Sequence, residues 1–540
     1  MSVVLLPGRH IVNTQYQEQY LFGILRREIA GLAIWDGAGG RRPAEPLDTL
    51  IFAITSANQC HSRYNPVPLE VRAIGVDRFA RRLANALQVR YRIVPIPHFA
   101  PSPRFCEFVL KEICEATEGE LMLTPGNTLV YTSTPVIVHA FGELGFGVLP
   151  GELTQLDPAR WHAATPMEAL KRVVAAGEQW PTCPHVREAV SGATLSVWRD
   201  FPDVMRRVLR LYRDPLLTEQ GSLTEMRNYS TYARRMSDQA ILELKYQDIR
   251  QAIVPGKIVD EGCADGALLA PIARDFPDSD LIGIEITGEF LARCHERQRA
   301  QEYAGAYIHF HQRNITEAIF EPESIDTTIC NSTTHELWSY GRQATTIRAY
   351  LREKHRQTRP GGRLVIRDVV GPEDSSQEVC LWCNDKDGAA TGDLDQLSTY
   401  ARFDRFAVDY LRAPIVAGRR KPEDAIRFRN QSIDGRRYRI LSLKDAVEFM
   451  MKKDYTDNWA SEVQEEFAYW SFSQWKQELQ DAGWQVIEDL AQPLRGSRVY
   501  RNDWIVRNRL AGKAELFRMI DDQLRPLEYP VTNMVLVGSK

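Results

Sequence analysis

The sequence predicts an α/β chain built as two doubly wound sheets joined by a helical segment. Three observations carry this. Residues 1–195 alternate short apolar runs with helically spaced stretches. Residues 196–250 lose the strand signal and keep the helical spacing. From residue 251 the alternation resumes and, with one long break, reaches the carboxyl end. Strands alternating with helices imply a parallel sheet covered on both faces. A chain of 540 residues also exceeds one core, at roughly 100–200 residues per domain. The expected organisation is residues 1–195, a helical linker or cap at 196–250, and a domain at 251–540 with an insertion at 373–472.

The elements follow in order. In the first segment Val3–Leu6, Leu50–Thr55, Tyr91–Pro95 and Asn127–Tyr131 read as strands. They are short apolar or β-branched runs bounded by turn formers. Tyr20–Ala30, Val71–Ala86 and Phe105–Ala116 read as helices between them. Each sheet is therefore expected to be Rossmann-like. In the middle segment Val204, Val208, Leu209 and Leu211 recur at helical spacing, as does the stretch Ala240 to Ile249. Asn228–Arg235, polar and aromatic, suits a lid or a plain surface helix equally. In the third segment Lys257–Asp260, Asp280–Ile286, Tyr307–His311, Asp326–Cys330 and Arg363–Asp368 read as strands. Ala267–Phe276 and Thr346–Thr358 read as helices, the first kinked by Pro271. After Pro372 the pattern breaks. It returns with the helix Ser473–Ala482, stopped at Gly483, and with the strands Trp484–Leu490 and Val531–Val537.

Composition narrows the partners. A formal net charge of −4 argues against whole-chain affinity for nucleic acid or anionic membrane. The basic clusters Arg81-Arg82, Arg206-Arg207, Arg234-Arg235, Arg419-Arg420-Lys421 and Arg436-Arg437 read as solvated faces. The nine cysteines are scattered and odd in number, which fits a reducing cytoplasm better than a disulfide scaffold. Cys380 and Cys383 form a CxxC with no second pair or clustered histidines, so no metal site is expected. Met1–Pro7 lacks a basic flank and a cleavage signal, and no apolar stretch approaches the roughly 20 residues of a membrane span.

The sharpest signal is Val259-Asp260-Glu261-Gly262-Cys263-Ala264-Asp265-Gly266, a glycine loop between a strand and a helix. Glycines there permit a tight turn and close approach of a ligand to the backbone. The loop lies at the carboxyl end of a central strand, where doubly wound sheets bind ligands. Asp260 is placed to reach the ammonium of an amino-acid moiety. The second strand ends at Glu285, 23 residues after Gly262, and an acid there can take both hydroxyls of a ribose. A nicotinamide dehydrogenase would show GxGxxG, and this loop lacks the middle glycine.

Residues 255–540 resemble class I S-adenosylmethionine-dependent methyltransferases. Asp260–Gly266 looks like their first motif, and Glu285 like the acid that follows it. His311-Gln312-Arg313-Asn314-Ile315 falls where that family holds adenine, with Asn314 the residue carried over. Ile325–Asn331 looks like the fourth motif, and Arg359–Asp368 like the turn and fifth strand. The resemblance implies S-adenosylmethionine as cofactor, bound by Asp260, Gly262, Cys263, Ala264, Asp265, Gly266, Glu285, Asn314 and Asn331.

Methyl transfer needs the nucleophile aligned and, for some acceptors, deprotonated. The stretch after the fourth strand, Asn331-Ser332-Thr333-Thr334-His335-Glu336-Leu337-Trp338, is expected beside the methyl group. His335 is the candidate base, since imidazole titrates near neutral pH. Glu336 is the candidate for orienting a cationic or hydroxylated substrate. Both could instead cap the next helix. Adenine-N6 enzymes carry Asn/Asp-Pro-Pro-aromatic here, and cytosine-C5 enzymes a Pro-Cys nucleophile. Neither is present, so the expected acceptor is a small molecule. The insertion's aromatics, among them Trp382, Tyr400, Phe403, Tyr410, Trp459 and Tyr469, suit a substrate pocket or, more often, a core.

Residues 1–190 carry a second resemblance, to nucleotidylyltransferases of the nicotinamide-mononucleotide adenylyltransferase type. Gly8-Arg9-His10 with Thr14–Gln17 looks like that family's opening. Thr55–Asn58, Asn65-Pro66 and Arg72 look like its second-strand segment. Val130–Pro135 with Leu144–Phe146, and Ala164-Thr165-Pro166 through Trp180, look like later motifs. The departures are specific: the HxGH-type histidines are replaced by Thr14-Gln15-Tyr16-Gln17, and the phosphate-gripping arginine has no match beyond the nearby Lys171 and Arg172. The resemblance implies a nucleotide site in a degenerate domain. A bifunctional enzyme and a non-catalytic nucleotide- or RNA-binding protein stay open at this point.

Overall fold

The computed structural model describes residues 2–28, 31–35, 41–99, 102–224, 226–227, 239–303, 305–489 and 496–540. The chain divides into two units: Met1–Pro215 with Glu219–Gly221, and Leu216–Thr218 with Ser222–Lys540. Asn228–Arg235, including the Arg234-Arg235 pair, and residues 29–30 of the first expected helix lie outside the described residues.

The first unit holds β1 (Ser2–Gly8), α1 (Gln15–Leu25), β2 (Leu47–Ile54), α2 (Leu69–Leu87), β3 (Arg90–Pro95), α3 (Phe105–Ala116), β4 (Thr128–Tyr131), α4 (Pro135–Glu143) and β5 (Gly147–Leu149). The sheet is parallel, in the order β3-β2-β1-β4-β5. Val3, Val4, Leu5, Leu50, Ile51 and Phe52 are completely buried. A strand covered on both faces reads as a continuous apolar run, which makes these strands legible in the sequence. The first helix starts five residues before the expected Tyr20, because Thr14 and Gln17 form a reciprocal capping box. A short hairpin follows, β6 (Leu153–Gln155) and β7 (Arg160–Trp161). Then come α5 (Pro166–Ala176), α6 (Pro184–Ala189), α7 (Gly192–Asp200) and α8 (Pro202–Arg213). Val173, Trp180, Trp198, Met205 and Leu209 join these helices in one buried cluster.

The second unit opens with α9 (Gln239–Ile249), then β8 (Lys257–Glu261), α10 (Leu269–Asp275), β9 (Asp280–Glu285), α11 (Gly288–Arg299), β10 (Ile308–Gln312), β11 (Ile325–Asn331), α12 (Thr334–Tyr340), α13 (Ala344–Gln357) and β12 (Thr358–Val369). Pro271 sits in the first turn of α10, where its missing N–H has no helical acceptor to lose. The sheet order is β10-β9-β8-β11-β12, parallel throughout. Three antiparallel strands extend it. They are β16 (Gln485–Val486), β17 (Arg498–Tyr500) and β20 (Asn533–Ser539), with β20 beside β12. Of the expected strand Trp484–Leu490, Gln485–Val486 form β16, and Leu490 lies outside the described residues.

The insertion is itself folded. β13 (Glu378–Cys383), β14 (Arg429–Ile433) and β15 (Arg436–Ser442) pair antiparallel. Two strands from a later excursion complete this sheet, β18 (Ala514–Ile520) and β19 (Gln523–Leu527). Phe403, Phe406, Tyr410, Phe449 and Trp459 form its core, so the insertion's aromatics mostly pack. Cys380 and Cys383 cannot share a ligand. At an odd offset in one strand they face opposite sides, one beside Tyr438 and Ile440 and the other in the larger core. Among the described residues, no helix is long and apolar enough to cross a membrane.

Candidate active site

In each unit the strand order reverses between two adjacent central strands, and a cleft opens at their carboxyl ends, as topology requires. The cleft of the second unit encloses about 60 Å³. Its floor is Gly262 and Ala264 after β8, Glu285 and Thr287 at the end of β9, Arg313–Ile315 after β10, and Asn331–Thr333 at the end of β11. Its other wall is Leu216, Leu223, Arg227, Glu336, Leu337 and Tyr340.

The glycine loop is shaped by backbone constraints. Gly262 has φ +72°, and a Cβ there would stand 2.5 Å from Thr333 Oγ1. Ala264 also adopts a left-handed conformation, φ +48°. Its N–H donates to Glu285 Oε2 at 3.0 Å, while Thr287 N–H donates to Oε1 at 2.7 Å. Glu285 is thereby clamped to face the loop. Burial, reinforced by Glu336, pushes its carboxyl up to about 7 against the pull of those N–H donors. Asp260 lies beneath the loop, 1% exposed, and its Oδ2 has no hydrogen-bond partner among the described residues. Burial and then the charges of Glu285 and Glu261 raise it to about 7, opposed by Lys245. Two buried acids short of positive charge fit a ligand that brings a cation.

The other expected loop residues do different work. Cys263 packs into the core below the sheet. Asp265 accepts from Ala267 N–H at 3.2 Å and pairs with Arg297 at 2.7 Å. Gly266, φ +78°, leaves room for Tyr303 Oη, which a Cβ would approach to 2.5 Å. Neither these three nor Asp260 lines the cleft; Gly262, Ala264, Glu285, Asn314 and Asn331 do. Asn314 spends its Oδ1 on Thr316, accepting from both its N–H and hydroxyl. Asn331 Oδ1 has no partner among the described residues. Below the loop, Glu261 is held by Lys354 Nζ at 2.5 Å and Tyr350 Oη at 2.8 Å, all completely or nearly completely buried.

The two expected catalytic residues diverge. Glu336 lines the cleft, and Arg227 donates to its Oε1 at 2.6 Å. His335 does not line it. Its Nδ1 stands 2.8 Å from Asp368 Oδ1 and its Nε2 3.6 Å from Glu465 Oε2. Burial works to lower its pKa, but Asp368, Glu465 and Glu336 together outweigh this and raise it to about 9. These carboxylates favour the protonated ring over the neutral one. The structure also brings in residues that sequence reading missed. Arg227 donates to Glu465 Oε1 at 2.6 Å, and Tyr340 Oη to the same oxygen at 2.9 Å. Trp338 Nε1 and Arg420 Nε each donate to Glu466 Oε2 at 3.0 Å. The available signal was Glu462, Glu465 and Glu466, three acids on one helical spacing in an otherwise aromatic stretch.

The cleft of the first unit is larger, about 490 Å³, and is lined by Gly8–Asn13, Gln17, Thr55, Thr132–Pro135 and Thr165–Met167. Thr14 and Gln17, where the family places histidines, cap α1. Thr165 and Glu168 form the equivalent box on α5. Lys171 and Arg172 are exposed and outside the cleft.

Residues 255–408 match the family model described as a methyltransferase domain. The chain is similar to the YcgJ protein of Bacillus subtilis, at 14% identity over 55% of this chain and 97% of that one, TM-score 0.28. It is similar also to an S-adenosylmethionine-dependent methyltransferase of Clostridium acetobutylicum, at 11% identity over 58% and 99%, TM-score 0.29. A nicotinamide-nucleotide adenylyltransferase of Methanosphaerula palustris is 27% identical over 166 residues, 31% of this chain and 83% of that protein. The family match spans β8 to β12 with the glycine loop, so this part of the second unit carries a methyltransferase domain.

Proposed function

We propose that the second unit methylates a small-molecule acceptor seated over the carboxyl end of β11, and that the first unit binds a nucleotide without transferring it. The observation that carries the first part is one cleft that gathers the Gly262–Ala264 backbone, Glu285, Asn314, Asn331 and Glu336. The cofactor supplies an electrophilic methyl on a sulfonium. Asp260 would hold its ammonium, Glu285 its ribose hydroxyls and the Arg313–Ile315 turn its adenine. Glu336 faces the acceptor, and Arg227 donates a hydrogen bond to it. Asp368 and Glu465 hold His335 as an imidazolium that fixes the start of α12, so His335 acts as a positioning residue and not as the base.

The second part rests on the two capping boxes. The hydroxyl and amide groups of Thr14 and Gln17 close the start of α1, and Glu168 puts a carboxylate at the start of α5. Neither can stabilise a transferring phosphate as a histidine or arginine would. The test is transfer of labelled methyl from S-adenosylmethionine to a metabolite extract, run beside pyrophosphate release from ATP and nicotinamide mononucleotide with magnesium. Label in small molecules with no pyrophosphate is expected. Label only in macromolecules overturns the first part, and pyrophosphate release the second.

A further inference from the structure

The acceptor wall of the methyl-transfer cleft is unusually acidic for a buried place. Glu336 lines it, and Asp368, Glu462 and Glu465 are buried beside His335 and Arg227, their counter-charges, with Lys452 also acting on Glu462. The neighbouring acids have their own partners: Glu466 has Arg420 and Lys444, and Glu448 has Lys452. Among the described residues the wall therefore carries more carboxylates than cations. Buried carboxylates are stable only when paired or neutralised.

Arg227 shows what kind of group the wall accepts. Its guanidinium, 3% exposed at the side chain, lies between Glu336 and Glu465 with one N–H bond of 2.6 Å to each. It belongs to no helix or strand. Asn331 Oδ1, on a residue that lines the same cleft and is 9% exposed, accepts hydrogen bonds and has no partner among the described residues. Carboxylates and an amide oxygen are all acceptors and call for a donor. Leu216, Leu223, Leu337 and Tyr340 complete the surface, which suits an organic group better than a hydrated metal ion.

We infer that the acceptor is an organic cation whose ammonium or guanidinium group binds between Glu336 and Glu465, taking the place of the Arg227 guanidinium. This rests on the reading of the cleft as a methyl-transfer site. Arg227 then acts as an internal stand-in that keeps the acid pair neutralised until the acceptor arrives.

The test is calorimetric titration of the full chain, loaded with S-adenosylhomocysteine, using n-butylguanidinium, n-butylammonium and n-butanol. Saturable binding of the cations and none of the alcohol is expected. Glu465→Gln should weaken cation binding at least tenfold, and Arg227→Gln should tighten it severalfold by removing the competitor. Glu336→Gln gives a second reading should Glu465→Gln fail to fold. Equal binding of alcohol and cations, or cation binding unmoved by both glutamine variants, overturns the inference. So does manganese binding that depends on His335 and Glu465 and displaces no organic cation, which would make the cluster a metal site. Loading with S-adenosylhomocysteine separates the two levels: failure to load sinks the methyl-transfer reading, and loading without cation preference sinks only the inference.

Discussion

Replacing Asp368 by Asn removes the carboxylate that faces His335 Nδ1 at 2.8 Å. The effect can be worked from the site. Burial disfavours the imidazolium, yet Asp368, Glu465 and Glu336 carry the pKa from 6.5 to about 9. At about 1.4 kcal/mol per tenfold change in proton affinity, that separation represents about 3 kcal/mol of preference for the charged ring in the folded state. The pKa is raised on folding, so this stabilisation is complete below pH 6.5 and is lost as the pH rises through about 9. In the Asp368→Asn variant the largest favourable influence disappears while burial remains, so the midpoint should drop toward or below 6.5. The measurement is a pH titration of the intact chain labelled with ¹⁵N-histidine. The chain has 11 histidines, and His335→Gln identifies the signal. A wild-type midpoint at or below 6.5, or a midpoint unchanged by Asp368→Asn, would refute the assignment of His335 as a standing cation.

Three further outcomes are expected. Glu285→Ala should weaken S-adenosylhomocysteine binding by about 1–3 kcal/mol, read by calorimetry, because it removes the ribose partner and the clamp on Ala264 N–H. Gly262→Ala should cost at least tenfold in the same affinity while the far-ultraviolet circular dichroism persists. A left-handed alanine costs about 1–2 kcal/mol, and its Cβ would displace Thr333. Lys354→Met strands the buried Glu261 without its cation and should lower the stability of the second unit by about 3–5 kcal/mol, seen as an earlier denaturant midpoint in tryptophan fluorescence.

What is legible in the sequence follows from physics that acts locally. β9 is buried on both faces and reads as the apolar run Leu281–Ile284, whereas β8 and β11 bury Asp260, Glu261, Asp326, Thr327 and Thr328 and are legible through the shorter runs Ile258-Val259 and Ile329-Cys330. The glycine loop announces itself because Gly262 and Gly266 meet steric demands that only glycine satisfies. The accessory sheet is not legible. In β14, Arg429 through Ser432 are all exposed, and an exposed edge strand of polar residues carries no apolar period. The strands β18 and β19 of the same sheet arrive from a separate excursion, which no local pattern foretells.

The acceptor wall is hidden for another reason. Arg227 and Glu465 are 238 residues apart in the chain, and a buried ion pair leaves no periodic trace. His335 shows the complement: residue type suggests a neutral-pH base, whereas the neighbouring carboxylates decide its charge. Thr14 and Gln17 read as replacements for histidines, and their capping of α1 is readable from the T-x-x-Q spacing alone.

The most direct measurement of the central claim is titration of the purified chain with S-adenosylmethionine and S-adenosylhomocysteine by calorimetry, repeated on Gly262→Ala and Glu285→Ala. The account predicts one saturable site per chain for both ligands, weakened by either substitution. Absence of binding to the wild-type chain, or binding indifferent to both substitutions, would contradict it.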